Sequence, residues 1–287
     1  MKEVDFPTLY LDASRVSLNA QNSFLRLVGG SLSLLIVCAV ISVVNSPERY
    51  VAIAQAFALL LSLSLTAYAA YQQPQRVWYG ARALAESVKT VTWRFVMRAE
   101  PYNKDDAPAR SHFIENLTKI FSDNAVSKQV IAVTIGDQIT VAMNNFRALP
   151  IPERKQRYEK ERIDDQLNWY RNKAEFNRRR SSQLLALLIV VHVLAVFSVI
   201  GKVNWPAFSY WPTDIFISIA GSVIAWSQTK RFNELATSYN LTAHEIGLLK
   251  SKLKDALSSN DVSEFVGDAE NAFSREHTQW RARRDVD

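Results

Sequence analysis

Hydrophobic residues are concentrated in a few long runs rather than spread evenly along the chain. The runs at residues 27–47, 51–71 and 181–200 contain no Asp, Glu, Lys or Arg. Each is long enough to cross a hydrocarbon layer about 30 Å thick as a helix that rises about 1.5 Å per residue. A fourth run, 211–228, reaches this length if Asp214 lies near the interface. The pattern predicts an all-α integral membrane protein with four spans.

Buried core helices of a soluble protein are the alternative interpretation of these runs. Such helices usually keep a polar face, whereas residues 27–44 offer only the hydroxyls of Ser31, Ser33 and Ser42. Acidic residues such as Asp12 precede the first run, and a second run follows at once, unlike a cleaved signal peptide. We therefore expect the first run to stay attached as a membrane span.

The runs pair into two hairpins, with short connections at residues 46–50 and 201–212. The tips hold few cations, Arg49 and Lys202. Basic residues instead flank the opposite ends of the hairpins: Arg76, Arg82, Lys89, Arg94, Arg98, Arg178, Arg179, Arg180, Lys230 and Arg231. Because cytoplasmic flanks are enriched in Lys and Arg, we expect both termini and the middle of the chain to lie in the cytoplasm.

Polar, helix-prone segments separate and follow the hairpins. After the first hairpin, the pattern predicts cytosolic helices at 75–100 and 112–124, joined by a linker at 101–111. Residues 128–146 fit either a strand or a helix, because β-branched residues alternate with a Gly-Asp pair that is typical of turns.

A long helix is predicted from about residue 153 to 200, so its first half is polar and its second half is the third span. A final amphipathic helix is predicted at 262–281 after a capping sequence. Their apolar faces comprise Ile163, Leu167, Tyr170 and Ala174 in the first, and Phe265, Val266, Ala269 and Phe273 in the second. An unbroken helix across the lipid boundary predicts that a rearrangement at its polar end reaches the bilayer.

The two halves of the chain share one pattern of apolar and polar segments. A shift of the chain by about 160 positions superposes hairpin on hairpin and aligns Tyr10 with Tyr170 and Tyr79 with Tyr239. Each hairpin enters and leaves on one side, so the duplication is parallel and suits a ring or a channel better than an alternating-access transporter. This divides the chain into units at 1–135 and 136–287.

Charge and cysteine usage restrict the class further. The net charge of +6 and pI near 9.4 are typical of nucleic-acid binding, yet the basic residues lie mainly beside the spans. We therefore expect a lipid bilayer as partner and no nucleic acid polymer. The one cysteine, Cys38, excludes an intrachain disulfide and a cysteine-based zinc cluster.

Motifs for catalysis are absent from the sequence. There is no glycine-rich phosphate loop, no HExxH and no CxxC pair, and the histidines stand far apart. The acidic pairs Asp105-Asp106 and Asp164-Asp165 are better explained as solvated surface than as acid-base dyads. We expect no catalytic residue, no metal and no cofactor.

Polar side chains within the spans are candidate pore or intramembrane sites. His192 lies near the middle of the third span, where an ionisable side chain is costly and marks a functional site, unless it only bonds a neighbouring helix. Ser31, Ser33, Ser218 and Ser222 allow close helix packing, which is favoured, or line a wet path after assembly.

One cytosolic helix is the best candidate for a ligand surface. It combines guanidinium groups with stacking rings at Trp78, Tyr79, Arg82, Lys89, Trp93 and Arg94. A packed amphipathic helix is the alternative interpretation and is favoured. Tyr170 and Lys173, on the polar half of the long helix, complete the cytosolic set. The run Arg178, Arg179 and Arg180 fits a topology anchor, contact with anionic lipid or binding of a phosphorylated ligand.

A set of residues in the second half resembles the SLATT family. They are Arg162, Ile163, Gln166, Trp169, Tyr170, Lys173 and Ala174 before a hairpin, Ile139, Thr140 and Met143 upstream, and the closing SREHTQWRARR. The first half, with Tyr10 before its hairpin and a helix over residues 78–95 after it, is similar to the SLATT type that often precedes the closing type. These are two-span effector domains found beside nucleotide-generating SMODS and nucleotide-sensing SLOG proteins in bacterial conflict systems.

The resemblance implies an antiphage membrane effector that forms homo-oligomers and forms or gates a pore, or disrupts the inner membrane, causing growth arrest or cell death. Its signal would be a nucleotide second messenger. Because no sensing or nucleotide-synthesising domain is recognisable, the signal would come from a separate sensor protein or from a cyclic or linear nucleotide bound by the cytosolic helices. The alternative function is a constitutive membrane scaffold or small ion channel without a nucleotide trigger.

Overall fold

Helices account for nearly all of the secondary structure. The computed structural model describes residues 1–44, 48–103, 105–124, 126, 136–255 and 258–282, and no strand occurs among them. The helices are a short 3₁₀-helix (Glu3–Asp5), α1 (Thr8–Val43), α2 (Arg49–Gln72), α3 (Pro74–Met97), α4 (Asp106–Ser122), α5 (Val141–Ala148), α6 (Ile151–Tyr158), a π-helix (Glu159–Asp164), α7 (Asp165–Asn204), α8 (Thr213–Lys230), α9 (Phe232–Asp255) and α10 (Ser259–Ala282). The predicted all-α fold is confirmed for the described residues.

Three helical stretches of the described chain are long and apolar enough to cross a membrane. They are Thr8–Val43, Arg49–Met97 and Ile151–Asn204. Helix α8, at 18 residues, is not among them; it has Asp214 in its first turn and ends at Lys230. Three predicted spans therefore lie in membrane-capable helices, and the fourth stays a prediction.

The chain folds into two compact units that each combine distant parts of the sequence. The polar unit comprises Met1–Gln21, Gln75–Lys173 and Ser238–Asp287. The hairpin unit comprises Asn22–Pro74 and Ala174–Thr237, which hold the apolar parts of α1, α2, α7 and α8. Each unit therefore draws on both halves of the chain.

Aromatic side chains form the centre of the polar unit. Trp93 contacts the rings of Phe146 and Tyr158 edge to face, at centroid distances of 5.6 and 5.5 Å, a favourable geometry for aromatic pairs. Phe95 and Phe113 extend this core toward α4, with centroids 4.6 Å apart. The packing joins α3, α4, α5 and α6 around one core.

The predicted apolar faces of the long helix and of the final helix are confirmed. All eight side chains are at most 8% exposed, so they contribute most of the transfer free energy that their size allows. Helix α10 begins with the predicted cap, because the Ser258 hydroxyl accepts from the Asp261 N–H at 3.1 Å. The Asp261 carboxylate accepts from the Ser258 N–H in return, at 2.9 Å.

Two of the predicted helical segments differ from the observed ones in extent or regularity. The linker at 101–111 ends early because α4 begins at Asp106; Pro108 is tolerated in its first turn, where N–H groups have no intrahelical partner. The long helix predicted from residue 153 is not regular, since the π-helix Glu159–Asp164 interrupts it. In the ambiguous segment 128–146, residues 128–135 lie outside the described residues. The last part of the segment is helical, because α5 begins at Val141. Thr140 caps this helix, since its hydroxyl accepts from the Met143 N–H at 3.2 Å.

Candidate functional site

The predicted ligand surface on α3 divides into an accessible and an inaccessible part. The Trp78 and Tyr79 rings stack on each other at 4.3 Å and are half-buried. One turn later, Arg82 is exposed and pairs with Glu86 at 3.0 Å. Lys89, on the following turns of the same face, is half-buried. These side chains occur at helical spacings of three, four and seven, so they follow one stripe of α3.

Trp93 and Arg94 are not available to a ligand in the way the sequence predicted. Trp93 is 1% exposed, so both faces of its ring are covered by the aromatic core. Arg94 is committed to α10, since its Nη2 donates to the Gly267 carbonyl at 3.1 Å and to Asn271 Oδ1 at 2.7 Å. The prediction was wrong for Trp93 because the sequence alone does not show which aromatic residues of α3 pack against the core.

Tyr170 likewise packs in the interior of the polar unit. It is 1% exposed, and its ring contacts Trp169 and Tyr239 at centroid distances of 4.9 and 5.6 Å. This leaves no ring face for a ligand. Lys173 is exposed, with its ammonium 5.9 Å from the Trp169 ring centroid, so of the two predicted residues only Lys173 is at the surface.

The arginine triplet at residues 178–180 is exposed, and each of its side chains pairs with a side chain of the same helix. Arg178 and Arg179 both pair with Glu175, the second at 2.6 Å, and Arg180 donates to Gln183 at 3.2 Å. These hydrogen bonds lower the pKa of the Glu175 carboxyl. Ion pairs of this exposed type contribute little to stability, so the guanidinium groups remain available to lipid or ligand phosphates.

Hydroxyl groups join the first two helices of the hairpin unit. Ser31 Oγ lies 3.0 Å from Ser62 Oγ and 3.1 Å from Thr66 Oγ1, and a Cβ on Gly30 would lie 3.3 Å from Leu65. Small residues therefore support close packing here, as predicted for Ser31. Ser33 is exposed, and its hydroxyl donates to the Gly29 carbonyl of its own helix at 2.8 Å.

The serines of α8 and the histidine of α7 have different surroundings. Ser222 is buried and Ser218 is half-buried. His192 is exposed on the hairpin unit, and its Nδ1 lies 2.8 Å from the Leu188 carbonyl of its own helix. His192 makes no hydrogen bond to another helix among the described residues, so the structural explanation that it ties two helices of one chain together is not supported.

A buried ion pair that the sequence did not reveal lies in the polar unit. Arg162 donates through Nε and Nη2 to the two oxygens of Glu270, at 2.9 and 2.6 Å, and Tyr158 donates to the same carboxylate at 2.9 Å. Arg162 and Glu270 are 1% and 0% exposed. Burial alone would lower the pKa of Arg162, but Glu270 raises it above its usual value.

The sequence contained one signal for this ion pair. Glu270 follows Val266 by four positions and therefore lies on the buried face of α10, where a carboxylate needs a partner. The partner was not predictable, because Arg162 is 108 positions away.

A second group of buried arginines caps the end of α3. Arg147 donates to the carbonyls of Phe95 and Tyr102, at 2.5 and 3.0 Å, and to Asp106 at 2.8 Å. Its hydrogen bond lowers the pKa of Asp106, whose side chain is 59% exposed, so this carboxylate lies at the surface, as predicted, and is also paired. Arg154 donates to the Met97 carbonyl at 2.9 Å. The cations satisfy carbonyls at a helix C-terminus, where positive charge is favourable.

Long apolar helices paired as hairpins, together with a separate polar helical unit, define this chain as an all-α membrane protein. Residues 7–155 match the family model described as SMODS and SLOG-associating 2TM effector domain 3, and residues 158–280 match domain 1 of that description. The first match alone covers more than half of the 287 residues, and the chain belongs to the SLATT family. The resemblance is confirmed.

Each matched region contributes one apolar hairpin and part of the polar unit. The family's domains are transmembrane effector domains, which makes this protein a membrane effector by class. No curated protein and no solved structure matches the sequence.

Proposed function

We propose that this protein is an antiphage effector of the bacterial inner membrane that assembles into homo-oligomers and forms or gates a pore. The tandem effector domains support the class. Opening would dissipate the ion gradients of the infected cell and cause growth arrest or death.

The exposed position of His192 is the observation that carries the oligomeric pore. This imidazole lies within the membrane-capable stretch Ile151–Asn204 and is exposed on a single chain. An ionisable side chain that faces hydrocarbon is costly. A second copy of the chain or a water-filled path next to α7 would remove this cost, and both require assembly.

The distribution of charge supports a cytoplasmic polar unit. Arg178, Arg179 and Arg180 precede the apolar half of α7, and Lys230 and Arg231 follow α8. Clusters of this kind remain on the cytoplasmic side. Four spans with both termini in the cytoplasm follow if α8 crosses the bilayer as the fourth span.

We further propose that a nucleotide messenger, or a separate sensor protein that responds to one, is the trigger, and that the protein is not an enzyme. Exposed Arg82 and half-buried Lys89 of the polar unit support direct binding, because they are the accessible cations of the α3 stripe. Trp78 and Tyr79 lie on the same stripe.

A constitutive scaffold or small channel is the second candidate. The close packing of Ser31 against Ser62 fits it, because these hydroxyl groups bond each other within one chain and do not line a water-filled path.

Induced expression with a nucleotide-producing partner is expected to depolarise cells and stop growth. His192→Leu should weaken the effect about three- to thirtyfold, as estimated for the loss of one polar contact between membrane helices. Val190→Leu, an apolar change at an exposed position of the same helix, is the matched control. Membrane potential is read with a voltage-sensitive dye. An unchanged potential and normal growth, with and without phage, would favour the scaffold.

A further inference from the structure

The connection between α7 and α8 presents a group of exposed aromatic side chains. Trp205, Phe208 and Tyr210 are 65%, 51% and 57% exposed, and Val203 at the end of α7 is 74% exposed. Residues 203–213 contain no Asp, Glu, Lys or Arg. A contiguous apolar patch is uncommon on a surface that faces only water, and it marks an interaction site. Residues 203–211 are referred to below as the aromatic tip.

The backbone and the rings of the aromatic tip make specific contacts with one another. The Trp205 N–H donates to the Gly201 carbonyl at 2.8 Å, and the Phe208 N–H donates to the Trp205 carbonyl at 3.1 Å. The Phe208 ring meets the Trp211 ring edge to face, with centroids 5.2 Å apart. A Cβ on Gly201 would overlap the Trp211 ring, so this ring lies directly on the backbone of α7. Trp211 therefore fixes the tip to the end of α7.

The aromatic tip continues the apolar surface of the hairpin unit. Ser198 Oγ lies 2.8 Å from Thr213 Oγ1, so α7 and α8 are joined at the base of the tip. Phe197 and Ile200, on the last apolar turns of α7, are 65% and 50% exposed. In a helix that crosses a bilayer, such side chains face lipid. The tip therefore begins where the lipid-facing surface of α7 ends.

We propose that the aromatic tip binds the lipid–water interface of the bilayer and holds this end of α7 at a fixed depth. Indole and phenol rings combine an apolar body with a polar N–H or O–H group. Trp and Tyr are accordingly enriched at both interfaces of a membrane. Interfacial aromatic residues also help to set the tilt and rotation of the helices that they follow.

The interface suits the aromatic tip better than hydrocarbon or bulk water does. Pro206 follows the end of α7 and Pro212 precedes α8, and the irregular backbone between them needs polar partners that lipid tails do not supply. Bulk water would leave the three exposed rings uncovered. The inference goes beyond the proposed function, because it concerns the position of α7 in the bilayer and requires neither a pore nor a trigger.

The depth of Trp205 is measured on the full-length protein in nanodiscs whose phospholipids carry bromine either near the headgroup or near the end of the acyl chain. The emission of Trp205 is the component that is lost in Trp205→Phe. Bromine near the headgroup should quench this component more strongly. Trp169→Phe is the matched control, because Trp169 lies in the polar unit, and the component lost there should be quenched far less by either lipid.

Three other results would overturn the interfacial position. Stronger quenching of Trp205 by bromine near the chain end would place the tip in the hydrocarbon. Quenching by aqueous iodide alone would place it in water. Protection from both bromine and iodide would show that a second copy of the chain, or another protein, covers the tip.

Anchoring is measured as the depth of a spin label at Lys202→Cys, an exposed position beside the tip, in a Cys38→Ala background. Trp205→Ser combined with Tyr210→Ser should increase relaxation of the label by a water-soluble nickel complex, because the end of α7 is no longer held. Trp205→Tyr combined with Tyr210→Trp keeps both ring types and should leave the depth unchanged. Equal depths in the serine variant and the wild type, or an equal change in both double variants, would overturn the anchoring.

Discussion

Glu270→Gln is expected to lower the free energy of unfolding of the polar unit by roughly 3–5 kcal/mol, the range found when one partner of a buried ion pair is removed. The change leaves the Arg162 charge buried without a counterion. It also removes the carboxylate that Tyr158 donates to at 2.9 Å. The effect is measured as the urea dependence of pulse proteolysis at sites in the polar unit.

Glu264→Gln is the matched control for this prediction. Glu264 lies on the exposed face of the same helix α10, so the change should stay within about 0.5 kcal/mol. The double variant Arg162→Met with Glu270→Met should recover much of the loss, because it leaves no unpaired charge. Equal stability of Glu270→Gln and the wild type would show that this ion pair does not stabilise the packing of α10 in the polar unit.

Arg179→Pro is expected to abolish permeabilisation while leaving membrane insertion intact. Helix α7 runs unbroken from Asp165 to Asn204 and belongs to both units. A proline at 179 removes one backbone hydrogen bond and collides with the carbonyl of Glu175, at a cost of about 3 kcal/mol or more. If α7 transmits a rearrangement of the polar unit to the bilayer, this break should uncouple the polar half of α7 from its membrane-spanning half.

Position 179 is chosen because its side chain is exposed, whereas Ala174 and Asn177 are buried and a change there also disturbs packing. Arg179→Ala is the matched control, since it removes the same charge and keeps the helix. Insertion is measured by alkaline extraction of membranes, and activity by membrane potential. Full activity of Arg179→Pro would show that α7 serves only as a membrane anchor.

Much of the fold was predictable because membrane spans and amphipathic helices depend on local patterns. The face of α10 that carries Phe265 and Val266 could be found from its spacing alone. The π-helix at Glu159–Asp164 was not found from a local pattern; its first and last residues both pair with the distant Lys250, at 3.5 Å for Glu159 and 2.6 Å for Asp164.

The candidate site was less predictable for a related reason. Trp78 and Trp93 both suit a ligand surface by residue type, and their difference in burial is set by the helices that pack on α3. The same holds for Arg94, whose guanidinium group donates to Gly267 and Asn271 of α10, at 3.1 and 2.7 Å. Sequence identified the types of side chain that bind phosphate, and the fold determined which of them still have unused donors.

Dye release from liposomes tests whether this protein opens the membrane. Purified full-length protein, reconstituted in anionic liposomes, should release an encapsulated dye when a nucleotide messenger is added, alone or with its sensor protein. His192→Leu should release less dye, and Val190→Leu should match the wild type. Intact liposomes across a panel of cyclic and linear nucleotides, with oligomeric protein confirmed in the membrane, would rule out the proposed pore.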